Sequence, residues 1–462
     1  MTVEPRGRIL VLGTGTVGAA VTAFLAEERR RGADVEVVAA DEAGDEAALA
    51  RAAALEETGA EVLTGVSAVE GPFDLVVVSP GISPRQPLMV SAAALGVPMI
   101  SDIDLAYRFA RAPFVAVTGT NGKTTVTCLI GHLLRESGVA AELVGNIGRP
   151  PISLVREAGP GTVLVAEVSS FQLSTSSAFH PRVAVLLNVT PDHLDWHGTL
   201  EAYTADKGRV FDNLTSADLA VLDMDDPGAA AFEAGLVSRG LRICRVSLRS
   251  ATPGGAWLED GMLVVDRLTG PMELVRADAL QLRGDHNLSN ALAACAVALE
   301  MGADAESVRV GLRSFEPIGH RLEPVGVVAG VEYIDDSKAT NPDAVIKALS
   351  AFDEGGIVLL LGGRGKGTDL GPMAAAAAAR CSAVITFGEA REDLAAAFEG
   401  SPVRRLLVRD SLRDAVDAGY EIARPGDVVL LSPACASFDE FDGYAARGRA
   451  FGERVAYLAG QW

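Results

Sequence analysis

Residues 113–125 read PFVAVTGTNGKTT, and no other stretch restricts the possible fold as strongly. The apolar run Phe114–Val117 reads as a buried strand. A glycine-containing turn follows, then Lys123, Thr124 and the start of a helix. Such a turn gathers backbone N–H groups, a helix N-terminus and an ammonium around one point, as a nucleotide triphosphate tail requires. The hydroxyl of Thr124 is placed to reach the accompanying Mg²⁺. The loop departs from the common G-x-x-x-x-G-K-[ST] pattern. Val117 occupies the place of that pattern's first glycine, and the first glycine here is Gly119.

The rest of the chain repeats the strand-then-helix rhythm, so the fold class is α/β with parallel sheets. The short β-branched runs Arg8–Leu12, Val35–Ala40 and Leu75–Ser79 alternate with Ala-rich helical stretches. A second segment opens near Ala106 and carries strands at Val163–Ala166, Val183–Val189 and Leu219–Leu222, then a helix at His286–Met301. The Pro/Gly punctuation of Phe315-Glu316-Pro317-Ile318-Gly319 reads as a linker. Strands at Ile357–Leu361, Ala383–Phe387 and Val428–Ser432 then build a third α/β unit. We expect three domains: Rossmann-like 1–105, central P-loop ATPase-like 106–318, and C-terminal Rossmann-like 319–462.

Charge and cysteine usage exclude several classes. A net charge of −21 leaves no surplus of Lys and Arg to neutralise nucleic acid, though small phosphorylated substrates need only a few local cations. Cys128, Cys244, Cys295, Cys381 and Cys435 are scattered without a C-x-x-C, which reads as reduced thiols in a cytoplasmic protein. The start MTVEPRGRILVLG runs into a strand without the regions of a signal peptide, and no apolar run approaches a membrane span.

A second nucleotide signal follows the first strand. Gly13-Thr-Gly15-Thr16-Val-Gly18, with Asp41 just beyond the second strand, fits a dinucleotide fingerprint. The same turn serves a nucleotide-sugar diphosphate, or helix–strand packing alone. The chain shows a triphosphate loop and no sign of hydride chemistry, which favours the nucleotide sugar.

Further polar groups sit where strands end. Glu167 closes TVLVAE and is placed to hold Mg²⁺ beside a γ-phosphate; the alternative is an exposed glutamate capping a helix. In Asn188-Val-Thr-Pro-Asp192-His193-Leu-Asp195-Trp-His197, the two histidines have the spacing of a zinc pair. Pro191 and Gly198 argue against a helix there, so one imidazole near a second Mg²⁺ is the better reading. Lys207, on the next helix, reads by itself as a solvated charge. In the third segment, Lys338 and Thr340 lie at a strand-to-helix junction suited to a carboxylate or phosphate. The loops Gly362–Asp369, with Lys366, and Ser432–Asp439, with Ser437 and Phe438, follow neighbouring strands and converge with it on an anionic-substrate site.

TGTNGKT, AEVSSFQL, NVTPDHLDWH, DHNLSNALAA, GHRLE, DDSKATNPDA, LLGGRGKGTD and LSPACASFDEF together resemble the Mur ligases of peptidoglycan synthesis, over nearly the whole chain. DSKATNPDA points to the members that add D-glutamate to UDP-N-acetylmuramoyl-L-alanine. The resemblance implies an ATP-dependent amide ligase, acting as a cytoplasmic monomer through an acyl phosphate. Gly119, Thr120, Asn121, Gly122, Lys123, Thr124 and Thr125 would bind ATP. Asn287 and Asn290 would read adenine, and Arg321 and Asp336 the ribose and phosphate side. Thr124 and Glu167 would hold one Mg²⁺. His193 would serve a second, and Lys207 resembles the family's carbamylated lysine. Lys123, Glu167, His193 and Lys207 would be the catalytic set. Gly15, Thr16, Asp41, Gly81 and Asn146 would meet the UDP-sugar substrate. Lys338, Thr340, Lys366, Ser437, Phe438 and Tyr444 would meet glutamate. The chain departs from the family at Asp41-Glu42-Ala43, where Asp-Thr-Arg is common, at Phe438 for a common Leu, and at Tyr444 for a common Phe.

Overall fold

The computed structural model describes residues 5–267, 270–316, 318–352 and 355–460; the linker's Pro317 and residues 1–4 of the N-terminal reading lie outside them. Three sheets form. The first is parallel throughout, in spatial order Glu61–Thr64, Val35–Asp41, Gly7–Leu12, Leu75–Val78, Met99–Ser101. Its alternate residues feed two cores. Ile9, Val11, Val37 and Val77 pack with Val21 and Leu25 on one face, while Leu10, Leu12, Val38 and Val76 pack with Leu88 and Ala92 on the other. Burial on both faces is why these strands read as unbroken apolar runs. The turn at Gly13 leaves the middle strand, where the strand order reverses, which is where such sheets bind ligands.

The second sheet runs Gly270–Arg276, Met262–Arg267, Ala256–Glu259, Arg242–Ser247, Leu219–Asp223, Val183–Leu186, Phe114–Thr118, Thr162–Glu167, Ala140–Gly145. It is parallel from Ala140–Gly145 to Ala256–Glu259 and ends in an antiparallel pair of strands. The strands between 256 and 276 were not foreseen from periodicity. Their signal is Asp260-Gly261, both at positive φ (49° and 75°), the turn that matches the twist of a tight hairpin. The third sheet runs Glu323–Val328, Val331–Asp335, Val428–Ala434, Ile357–Gly362, Cys381–Phe387, Leu406–Val408, parallel except for its first strand.

Packing divides the chain into two compact units. One comprises Met1–Val189, Trp196–Ala277 and Ser289–Arg313, and so holds the first two sheets; the other comprises Thr190–Asp195, Asp278–Leu288 and Ser314–Trp462. The boundary expected at 105/106 falls inside the helix Asp102–Phe109, whose first turn ties the first sheet to the second segment. Gln172 Nε2 donates to both oxygens of Asp102 at 3.1 Å. Asp104 accepts from the backbone N–H of Ser177 and of Ala178, and from Arg108 Nε. From sequence these two acids are ordinary first-turn residues of a helix.

Burial pushes the Asp102 carboxyl up to about 6, against the hydrogen bonds from Gln172 and the helix N–H groups. The folded state therefore holds this proton more tightly than the unfolded chain. Stability is fully present below the unfolded value of 3.8 and is lost as pH rises through about 6. Asp102→Asn removes that loss. In urea unfolding, the variant's stability relative to the parent should rise by on the order of 2 kcal/mol between about pH 4 and pH 7.5. A difference that stays flat across the range would show that Asp102 does not carry the effect.

Candidate active site

Phe114–Thr118 is buried along its whole length, between Thr162–Glu167 and Val183–Leu186. It delivers the loop Gly119–Gly122 to the N-terminus of the helix Lys123–Glu136. Gly122 caps that helix at φ 86°, a conformation that L side chains rarely adopt, and a Cβ there would lie 2.6 Å from Asn290 Oδ1. Asn290 is thereby placed against the phosphate loop. The loop is braced from the neighbouring strand's end. Thr120 N donates to Asn188 O (2.9 Å), Asn121 N to Asn188 Oδ1 (2.8 Å), and Thr120 Oγ1 meets Tyr203 Oη at 3.1 Å. Asn188 and Tyr203 were not singled out from sequence. The position of Asn188, at the end of the adjacent parallel strand, was the available signal.

Two lysines meet at this loop. Lys123 Nζ donates to Gly119 O (2.8 Å) and Thr120 O (2.9 Å), and Lys207 Nζ donates to the same Gly119 O (2.8 Å). Lys207 is 1% exposed with its amine 4.5 Å from the Tyr203 ring centre, so it is not the solvated charge that its helix suggested. Thr124 and Thr125 are buried in the first turn of the helix.

Glu167 pairs in register with Val117, just before the loop, and is 2% exposed. It does not cap the following helix: Ser169 does, in a capping box with Gln172. Asn146 Nδ2 donates to Glu167 Oε1 (2.8 Å), and Asn146 N to Glu167 O (2.9 Å). Gly145, at φ 96°, permits that approach; a Cβ there would lie 2.3 Å from Glu167 O. Glu167 Oε2 is buried and has no hydrogen-bond partner among the described residues. A carboxylate oxygen left so, beside a threonine-bearing phosphate loop, fits a hard, oxygen-seeking cation such as Mg²⁺.

The sequence argued against a helix around His193 and His197, yet a single turn forms at Leu194–His197. Pro191 precedes it and Gly198 follows it, so both flank the turn without entering it. The histidines have separate fates. His197 is buried between Ser170 Oγ (2.9 Å) and Asp206 Oδ2 (2.8 Å) and stacks on Phe171. Both its nitrogens are used, which removes it from a zinc pair. His193 belongs to the second unit, with its backbone at φ 53° and its N–H on Asp192 Oδ1. Strain of that kind clusters at ligand sites.

In the first sheet, a cavity of about 340 Å³ is lined by Gly13, Gly15, Thr16, Asp41, Glu42 and Gly81, among others. The Asp41 carboxylate accepts from Thr14 N and Oγ1 (both 2.7 Å) and from Ala43 N (2.9 Å). It pins the glycine turn, so the group that a dinucleotide ribose would use is already engaged. Burial pushes its carboxyl up, but the bonds from Thr14 and Ala43 outweigh that and hold it below the usual range. Glu42 accepts from Leu88 N (2.7 Å) at the start of the helix Pro87–Ala94 and so builds the cavity wall. An adjoining cavity of about 400 Å³ shares Ser79, Gly81 and Ile82 and is lined further by Arg85, Trp196 and His197.

In the second unit, the turn His320–Leu322 presents Arg321. His320 and Leu322 have φ of 64° and 46°, and His320 is held by Asp335 Oδ2 (2.6 Å) and Glu323 Oε2 (2.7 Å). Among the described residues, these three form the one cluster of His, Cys or acids of metal-holding size, and its bonds serve the turn. Arg321 Nε is buried without a partner among the described residues. Asp336 is buried and accepts from Ser432 Oγ (2.8 Å). Burial pushes its carboxyl up to about 7, against that bond and the Arg321 charge. Asn287 Nδ2 donates to Arg283 O (2.8 Å).

Three adjacent strands of the third sheet end side by side, at Asp335, Gly362 and Ala434. Lys338 Nζ lies 5.0 Å from the Tyr444 ring centre. Lys366 Nζ is 3.5 Å from Asp192 Oδ1, whose partner oxygen accepts from Asn341 Nδ2 (3.0 Å). Asn341 caps the helix Pro342–Leu349, with Thr340 just before it. Ser437 is buried, whereas Phe438 is 63% exposed. The three loops do share one sheet edge.

Comparisons with known proteins give one answer. A family description, Mur ligase middle domain, matches residues 117–298, and another, Mur ligase, glutamate ligase domain, matches residues 320–435. A UDP-N-acetylmuramoylalanine--D-glutamate ligase of Pelotomaculum thermopropionicum is 44% identical over 98% of each chain. Its namesake in Geotalea uraniireducens is 42% identical over 98% of this chain and 97% of the other. Among solved structures, MurF from Acinetobacter baumannii matches with TM-score 0.63 at 17% identity, over 98% of this chain and 93% of the other. UDP-N-acetylmuramate-alanine ligase MurC from Thermotoga maritima matches with TM-score 0.58 at 20% identity, over 97% and 99%. These two show the shared fold. With its phosphate loop, buried acid and buried lysine in place, the chain belongs to the Mur ligase family.

Proposed function

We propose that the chain is an ATP-dependent ligase that joins D-glutamate to UDP-N-acetylmuramoyl-L-alanine in the cytoplasm, as a monomer, for peptidoglycan precursor synthesis. The observation that carries this reading is the cluster at Gly119: two lysine amines on one carbonyl oxygen, with the buried Glu167 on the adjacent strand. Relatives bearing that enzyme name at 44% and 42% identity support the choice of substrates. The division of labour follows the three segments: UDP-sugar on 1–105, ATP on 106–318, amino acid on 319–462.

The alanyl carboxylate attacks the γ-phosphorus of ATP in line, ADP departs, and an acyl phosphate results. The amine of D-glutamate then attacks the acyl carbon, and the tetrahedral intermediate expels phosphate. Lys123 swings from its loop carbonyls to the phosphate oxygens and neutralises charge as it moves onto ADP. Thr124 and Glu167 would hold one Mg²⁺; His193 would serve a second, and Lys207 would act as the family's carbamylated, metal-binding lysine. Bound Mg²⁺ supplies charge stabilisation on the transferring phosphoryl group. Two ammonium groups at Gly119 O repel. Carbamylation of Lys207 relieves this and turns a cation into a metal-binding carboxylate. Asn290 and Asn287 would read the adenine, and Arg321, with Asp336, the ribose and phosphate side. Asn146, beside Glu167, would orient the muramoyl substrate, while Gly15, Thr16 and Gly81 line its nucleotide cavity around the turn pinned by Asp41. Lys338, Thr340, Lys366, Ser437, Phe438 and Tyr444 would hold glutamate.

A phosphate-release assay with each component omitted in turn tests the proposal. Release should need ATP, Mg²⁺, UDP-N-acetylmuramoyl-L-alanine and D-glutamate together. Equal release with L-glutamate would sink the stereochemical claim.

A further inference from the structure

Arg447 lies in the first turn of the helix Tyr444–Ala459 and is fully buried. Among the described residues no carboxylate pairs with it, and every bond that its guanidinium makes goes to the three loops at the strand ends. Nε donates to Ser337 Oγ (2.9 Å) and Nη2 to Ser337 O (2.8 Å). Nη1 donates to Gly362 O (3.1 Å), and Nη1 and Nη2 both reach Cys435 O (3.1 Å each). Each acceptor lies next to or at the start of a loop that carries a residue read above as holding the amino acid. Ser337 precedes Lys338, Gly362 opens the loop of Lys366, and Cys435 leads through Ala436 to Ser437. Ser337 Oγ in turn donates to Tyr444 O (2.9 Å), and the Tyr444 ring lies beneath Lys338 Nζ. Gly363 leaves room for this, since a Cβ there would lie 2.9 Å from Arg447 Nη1.

A buried cation with no ion-pair partner, only the more distant charges of Asp335, Asp439 and Glu440, is a poor way to stabilise a fold, and an apolar side chain of similar shape commonly does better. What a guanidinium offers instead is a rigid planar fork of donors that fixes several acceptors at once. Burial pulls the group down to about 10, so it stays charged at neutral pH, and its field beneath the loops favours anions above them.

We propose that Arg447 is the positioning residue of the amino-acid site, holding the loops of Lys338, Lys366 and Ser437 in the arrangement that receives the incoming carboxylates. This rests on the reading of that sheet edge as the glutamate site.

The test is steady-state phosphate release with ATP and UDP-N-acetylmuramoyl-L-alanine saturating and D-glutamate varied, for the parent, Arg447→Lys and Ser337→Ala. Arg447→Lys keeps the charge and loses the fork. Its KM for D-glutamate should rise about tenfold or more, the loss expected when charge-assisted hydrogen bonds go. Ser337→Ala removes one acceptor and should raise the same KM a few-fold. In both, the KM values for ATP and the UDP substrate should stay within about twofold, as a local effect on one subsite requires. A D-glutamate KM that does not move, or three KM values that move together, overturns the proposal. Should Arg447→Lys fail to fold, Ser337→Ala decides by the same criterion. A parent enzyme with no dependence on D-glutamate overturns the functional reading, and this inference with it.

Discussion

Lys123→Ala lowers ATP-dependent phosphate release by roughly a thousandfold, the scale on which positioned cations act on phosphoryl transfer, and leaves the chain folded. The two halves of this expectation have separate grounds. Lys123 is the ammonium at the head of the phosphate-loop helix, and an alanine supplies no substitute charge for the departing ADP. The structural cost is small because the bonds from its Nζ to the loop carbonyls of Gly119 and Thr120 are worth about 1 kcal/mol each. Gly119 O keeps Lys207 Nζ, so the change weakens the donor set at Thr120 O by about 1 kcal/mol. The strand behind the loop, Phe114–Thr118, is wholly buried and does not depend on the lysine. The measurement is single-turnover phosphate release with all substrates present, beside a thermal melt. Turnover at the parent's rate would refute the assignment of the loop.

Glu167→Gln has the second largest expected effect, and its two readouts move in opposite directions. Activity falls by roughly a hundred- to a thousandfold, the worth of several kcal/mol of charge stabilisation, and the Mg²⁺ titration shifts to higher concentration. Stability rises by about 1–3 kcal/mol, because a buried carboxylate with one unpartnered oxygen becomes a neutral amide of the same shape. The Asn146 contact to Oε1 persists when the amide presents its oxygen there. A glutamate kept only for packing would leave the activity and the Mg²⁺ titration unchanged. Activity and stability falling together would also count against the metal-holding role, since that is the signature of a damaged fold. Opposed signs are what a site under functional selection produces.

The site was legible where its chemistry is local in the chain. A strand, a glycine turn and a lysine-threonine helix start are contiguous, so the phosphate loop could be read from residues 114–125. The strand-end position of Glu167 likewise marked it as a candidate. Three loops following strands on one parallel sheet could be expected to converge, because parallel strands put their C-terminal ends on one edge. Asp41 shows the limit of such reading. The residue and its place after the second strand were evident, yet which donors its carboxylate would accept depended on how the Gly13–Gly15 turn folds back on it.

The remainder depends on contacts between residues far apart in the chain. Lys207 lies on an unremarkable polar helix, and only packing that brings its amine to Gly119 buries it. Asp102 and Asp104 look like first-turn acids, and only the approach of Gln172 and Ser177 turns them into a tie between the helix after the first sheet and the second segment. Arg447 sits in YAARGRAFGERVAYLA among other arginines, with nothing to mark it until the strand-end carbonyls surround it. By itself the sequence determined the α/β class, the phosphate loop and the family, because strand periodicity, turn chemistry and motif spacing are short-range properties of the chain. Tertiary structure alone decided which of the charged groups are buried and what each one holds, since burial and hydrogen-bond partners are set by where distant segments meet.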